Sequence, residues 1–161
     1  MKQSSDPSER WGFLLKDVSR SHSKRFEQRA SVFGLTLPQC RALIYLAREE
    51  GMSQAQLAAI TDMEPMSMVR MLDRMEADGW LERRGNPSDR RTRHLYFKAK
   101  GRALLEQINE WVELTRAEAL VGISKKQLQT MVDTMDKIRS NLESLEPISV
   151  AESGSRRERR A

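Results

Sequence analysis

The sequence predicts a mainly α-helical chain carrying one small β-hairpin, an α+β arrangement, and three observations support that expectation. Capping signals recur: Asp6-Pro7-Ser8-Glu9, Thr36-Leu37-Pro38-Gln39, Ser53-Gln54-Ala55-Gln56 and Ser124-Lys125-Lys126-Gln127 each set a capping residue three positions before Glu or Gln. In such a box the first side chain accepts an orphan backbone N–H and the second reaches back to the cap. Apolar residues then follow at helical spacing over most of the chain. Between about residues 81 and 98 the period shortens, and Gly85, Asn86, Pro87 and Ser88 interrupt it as a turn.

Taken in order, the first helix is expected from about Ser8 to about Ala30, with Trp11, Leu14, Leu15, Val18, His22 and Phe26 on one face. A second covers about Leu37 to Arg48, turns Leu43, Ile44 and Ala47 inward, and stops near Gly51. A short third runs from Ser53 to about Ile60. Pro65, comfortable at the first helical position, opens a fourth that ends before Gly79, a natural left-handed terminator. Leu81 to Arg84 and His94 to Lys98 read as short strands that make a hairpin round a basic loop. Two longer amphipathic helices follow, about Lys100 to Leu120 and Ser124 to Leu145, the second ended by Pro147. Residues 147–161, rich in Ser, Glu and Arg with little to bury, are expected to form a disordered basic tail.

Composition excludes several classes. A chain of 161 residues, 39% hydrophobic and 32% charged, suits one core with an appendage. No apolar run approaches the ~20 residues of a membrane span, the polar first ten residues carry no export signal, and one cysteine fits a reducing cytoplasm. The formal charge is +5, and its placement matters more than its size. Arg83, Arg84, Arg90, Arg91 and Arg93 stand against one acid, Asp89, while the tail from Arg156 to Arg160 holds four Arg and one Glu. No nucleophile–base arrangement, phosphate loop or metal cluster is present, so neither an enzyme nor a cofactor is expected.

A short helix, a tight turn, a proline-started helix and a basic hairpin together make a winged helix-turn-helix. In its second helix Met68, Val69, Leu72 and Met75 fall on one side, with Ser67, Arg70 and Arg74 opposite. Guanidinium groups on such a face suit the major groove, where Arg pairs bidentately with guanine, and the helix N-terminus can approach phosphate. Solvation of an amphipathic helix is the plain alternative, outweighed by the flanking turn and hairpin. Ser53 and Gln54 become candidate phosphate contacts, with capping as their ordinary role. Asp89, Arg90, Arg91 and Arg93 put long cations where they can enter a narrow minor groove.

The stretch from Leu35 through Ile108 resembles MarR-family regulators, through Leu-Thr-Leu-Pro at 35–38, the run from Met68 to Glu76, and Asp89-Arg90-Arg91. Gly122-Ile123-Ser124 looks like the SlyA branch. The resemblance covers nearly all of residues 8–145 and implies a homodimer binding double-stranded DNA. It divides the chain into a helical dimerisation region (8–34 and 100–146) and a DNA-binding domain (35–99). It also implies base contacts from Ser67 and Arg70, a minor-groove finger at Arg91, and Arg74 on phosphate while pairing Asp89. Lys98 departs from the family's usual Thr, which puts the next helix start in doubt.

Dimerisation also follows from the residues, because a winged domain of roughly sixty residues cannot cover the apolar faces of the first helix and the last two. Two-fold pairing would set the recognition helices ~34 Å apart on a near-palindromic operator. The simplest function is a sequence-specific regulator, a repressor competing with polymerase. The rivals are a low-specificity architectural DNA coat and a protein-interaction module. The family often binds small aromatic or lipophilic effectors. Trp11, Leu15, His22, Arg41 and Tyr45 are candidates to line such a pocket, although packing explains them equally well. His22 and His94 lack partners at metal-ligand spacing, and Cys40 is expected to be a small buried hydrophobe rather than a redox switch.

Overall fold

The computed structural model describes residues 6–86 and 89–146. The element order is α1 (Pro7–Val32), α2 (Leu37–Arg48), α3 (Gln54–Thr61), α4 (Pro65–Ala77), β1 (Leu81–Asn86), β2 (Asp89–Phe97), α5 (Ala99–Ala119) and α6 (Lys125–Glu143). The chain is mainly helical with a two-stranded antiparallel hairpin, as expected. One compact unit ends at Ala119 and a second begins at Leu120.

Helix starts follow the capping signals. Thr36, Ser53 and Ser124 each accept the N–H of the Gln three residues on, whose side chain returns to the cap. Each such cap is worth ~1 kcal/mol. At the first signal Asp6 accepts from the Ser8 N–H and hydroxyl, at 2.9 and 2.7 Å. Helix α5 begins at Ala99 although Lys98 offers no capping oxygen; the Lys98 N–H is instead held by the Trp80 carbonyl at 3.0 Å. Gly79, with φ +76°, takes the left-handed conformation just beyond α4.

One core joins the elements of the first unit. Cys40, Leu43 and Leu46 of α2, Leu57 of α3, Met68, Leu72 and Met75 of α4, and Leu81 and Leu95 of the hairpin are fully enclosed. Phe26 and Ala30 of α1 and Ile108 and Trp111 of α5 belong to the same core. Ala47, expected to face inward, is exposed; Ala42 and Leu46 take that side of α2 instead.

The strands are longer than the sequence suggested, because the Gly85-Asn86 segment continues the ladder through a register shift. Leu81, Arg83 and Gly85 pair with Phe97, Leu95 and Arg93. The chain before α3 adds itself to β2: the Gly51 N–H bonds the Leu95 carbonyl at 2.9 Å, the Leu95 N–H bonds the Met52 carbonyl at 3.0 Å, and His94 Nδ1 donates to the Gly51 carbonyl. These bonds tie the base of the hairpin to the helix-turn-helix.

Three of the helices leave apolar surface uncovered. Trp11, Leu14, Leu15 and Val18 of α1 are exposed, as is Leu114 of α5. No residue of α6 is buried, and Met131, Val132, Met135 and Leu142 all meet solvent.

Candidate nucleic-acid interface

Helix α4 separates its two faces as its spacing requires. Met68, Leu72 and Met75 are buried and Val69 is partly so, while Ser67, Arg70 and Arg74 are exposed. Among the described residues, the Arg70 and Arg74 guanidinium groups make no ion pair and no hydrogen bond. Two long cations are thus held on a fixed helix with their donors open to solvent, a geometry able to pair base edges or phosphates. Arg70, Arg74, Ser67 and Met71 share a surface cavity with Thr36 and Gln39.

Glu64 was overlooked in the sequence, although a carboxylate directly before Pro65 is a legible cap. Its oxygens accept the Met66 and Ser67 N–H groups at 2.9 and 2.7 Å. These bonds, that of Met66 foremost, hold its carboxyl below the usual carboxylate range. The N–H groups that were expected to be available to a phosphate at this helix end are therefore already occupied by an anion.

A larger surprise lies at Arg83, counted above with the basic hairpin. Its side chain is only 10% exposed and turns inward. One nitrogen meets Glu76 at 2.5 Å and another meets Asp73 at 2.7 Å. The Val69 carbonyl and Gln54 Oε1 each lie 3.4 Å from the guanidinium, and the Arg83 backbone N–H also bonds Glu76, at 2.9 Å. Burial alone would raise the Glu76 pKa; the Arg83 N–H and guanidinium outweigh it and hold the carboxyl low. Arg84 is also engaged, paired with Glu82 at 2.6 Å and lying 4.3 Å over the Tyr96 ring. The cationic surface of the hairpin is accordingly smaller than the sequence count suggested.

The remaining predicted residues divide clearly. Arg93 is exposed on β2, opposite Gly85. The side chains of Asp89, Arg90 and Arg91 lie outside the described residues, so the expected Arg74–Asp89 pair does too. Ser53 and Gln54 are partly buried. The Ser53 hydroxyl caps α3 and Gln54 Oε1 receives Arg83, which are structural engagements for both.

The candidate effector residues are scattered over the chain. Arg41 is exposed in a cavity of about 310 Å³ lined also by Leu37, Pro38, Asp62, Met63 and Glu64. Trp11, Leu15 and His22 lie exposed along α1, and Tyr45, half-buried, has Arg48 5.1 Å over its ring. None of these four lines the Arg41 cavity. Cys40 is enclosed, and burial pushes its thiol up to about 11, so the thiolate needed for redox chemistry is suppressed.

Helix, turn, second helix with an open cationic face, and a hairpin braced beside it define a winged helix-turn-helix of the DNA-reading kind. Comparison with known proteins narrows this further. Residues 33–92 match the model of the MarR family. The transcriptional regulator PA3341 is 28% identical and superposes with a TM-score of 0.77 over 84% of this chain and 99% of its own. A MarR-family transcriptional regulator from Rhodococcus sp. RHA1 is 25% identical, with a TM-score of 0.73 over 84% and 96%. At the level of fold, a mutant MarR from E. coli crystallised with operator DNA gives 0.70 at 23% identity, over 79% and 91%. Over its helix-turn-helix and wing, residues 33–92, the chain is similar to the MarR family, and its fold is that of MarR-family winged-helix transcriptional regulators.

Proposed function

We propose that this chain binds duplex DNA sequence-specifically as a homodimer, on a near-palindromic operator, and represses transcription there. The observation that carries the reading is α4: an apolar stripe locked in the core leaves Ser67, Arg70 and Arg74 on the opposite, open face. Recognition helices read base edges from such a face, and each good bidentate arginine contact discriminates by ~1–3 kcal/mol. Arg91 supplies the wing's minor-groove contact, with Asp89, Arg90 and Arg93 beside it, and Ser53 and Gln54 approach phosphate. A mutant MarR from E. coli with the same fold was crystallised in complex with operator DNA, which supports a DNA partner for this chain.

The uncovered stripe of α1 supports pairing with a second copy, and the resemblance at Gly122-Ile123-Ser124 supports a SlyA-like branch. Its site of action is the cytoplasm. A small aromatic or lipophilic effector releases the DNA, with Arg41 taking a carboxylate and Trp11, Leu15, His22 and Tyr45 supplying apolar walls in the dimer. Such an effector acts through its differential affinity for DNA-competent and DNA-incompetent dimers.

Fluorescence anisotropy of the pure protein tests this, on a duplex from its own gene's upstream region and on a scrambled control, across a salt series. Selective binding weakened by Arg91→Ala is expected, with release by salicylate as the effector readout. Equal affinity for the scrambled duplex, repeated with duplexes selected from a random library, would replace the reading with a low-specificity architectural role.

A further inference from the structure

Arg83 is the last inward-facing side chain of β1 before the hairpin leaves the body. Two residues earlier on the same face Leu81 is fully buried, and two residues later Gly85 has no side chain to anchor anything. The Arg83 guanidinium reaches Asp73, Glu76 and the Val69 carbonyl, which follow one another along α4, and also the Gln54 side chain of α3. Its backbone N–H adds a further bond to Glu76. On the other strand, its cross-strand partner Leu95 is tied to Gly51 and Met52. The hairpin is thus gripped on both strands at one level, and on the β1 side the grip runs to the recognition helix itself.

We propose that Arg83 is a positioning residue, which fixes the angle of the wing against α4 so that wing and helix engage DNA as one rigid reader. The inference rests on the DNA-binding reading above. A planar fork fits this role because it holds two carboxylates and a carbonyl in a single orientation, which a flexible ammonium does not. Asp73 and Glu76 repel each other once the guanidinium is gone, since the Asp73 charge already works against ionised Glu76. The base of the wing would then separate from α4. Arg83 itself is spent internally and touches no DNA; its effect passes through the wing arginines.

A double-mutant cycle separates positioning from plain stability. Wild-type protein first selects its preferred duplex from a random library. Arg83→Met, Arg91→Ala and the double variant are then titrated on that duplex and on a scrambled one, with circular dichroism confirming the fold. In the wild-type background Arg91→Ala is expected to weaken selective binding about ten-fold, and in the Arg83→Met background less than three-fold, because an unlatched wing no longer delivers Arg91. Arg83→Lys, which keeps the charge and loses the fork, should fall between. Additive losses overturn the positioning role while leaving the regulator reading intact. No selection by the wild type overturns the DNA reading itself, whereas selection with no loss from Arg91→Ala alone overturns the wing contact, and with it the positioning role of Arg83. If Arg83→Met does not fold, the same cycle is read on Asp73→Asn, where coupling supports the latch and additivity overturns it.

Discussion

Helix α4 and the first half of α1 are built alike: each starts with a proline and carries an apolar stripe at helical spacing. Their fates differ. The stripe of α4 is closed over by the core, with Met68, Leu72 and Met75 fully buried, whereas Trp11 and Leu15 of α1 remain 47% and 43% exposed and Leu14 and Val18 more so. Among the described residues, α1 enters the core of its own chain at its far end, through Phe26 and Ala30, with Phe26 edge-on to Trp111 at 6.4 Å. The same amphipathic pattern can therefore mean a position in the protomer's core or a surface awaiting another chain. Uncovered apolar stripes of this kind are characteristic of interaction surfaces.

The contrast is broken most severely from the closed side. Gly101 sits where α5 crosses Trp80, and a Cβ there would lie 1.9 Å from the Trp80 carbonyl oxygen. Backbone cannot yield that distance cheaply, so Gly101→Ala should cost about 3 kcal/mol in urea unfolding. An unchanged midpoint would mean that this crossing is loose. On the open side, Leu15→Glu should leave the helical content unchanged while weakening self-association more than ten-fold in sedimentation equilibrium. A variant that unfolds instead would show that the α1 stripe serves its own protomer.

The smallest effect sharpens the join between the two regions. Where α1 turns from open to covered, Arg25 and Arg29 converge on Glu118 of α5, at 2.7 and 2.6 Å. The hydrogen bond from Arg25, then that from Arg29, draws the Glu118 pKa from its ordinary 4.5 down to about 2. A depressed folded-state pKa favours folding above the unfolded value, and that contribution fades as pH falls from 4.5 toward 2. The groups are solvent-exposed, so the loss is small. Thermal melts should show Glu118→Gln less stable than wild type at pH 7, with the gap narrowing below pH 4. A gap that stays constant with pH would mean the pair contributes nothing through ionisation.

Much of this molecule was readable without coordinates because its signals are local. Capping boxes at Thr36, Ser53 and Ser124, the proline before α4, Gly79 after it and the period of Met68, Leu72 and Met75 depend on residues within a turn or two of one another. The open face of α4 followed directly, since a helix that buries one side must show the other. Helix α2 was placed to the residue, and the strands were underestimated because a register shift carries their ladder through turn-like residues. Glu64 was legible in principle as a cap before Pro65.

What local signals could not reveal was which charges were already engaged. In the sequence Arg83 and Arg93 look alike, two basic residues of one hairpin, yet one is tucked against α4 and the other exposed. That distinction depends on Asp73 and Glu76 arriving from another element, ten and seven positions away along the chain. A linear count of arginines therefore overstated the wing's positive surface. The sequence by itself determined the helices, the hairpin and the faces of α4, because backbone hydrogen bonding and apolar periodicity act over short separations. Only the tertiary structure decided which cations remain for a partner, because an ion pair forms between groups that the fold brings together in space.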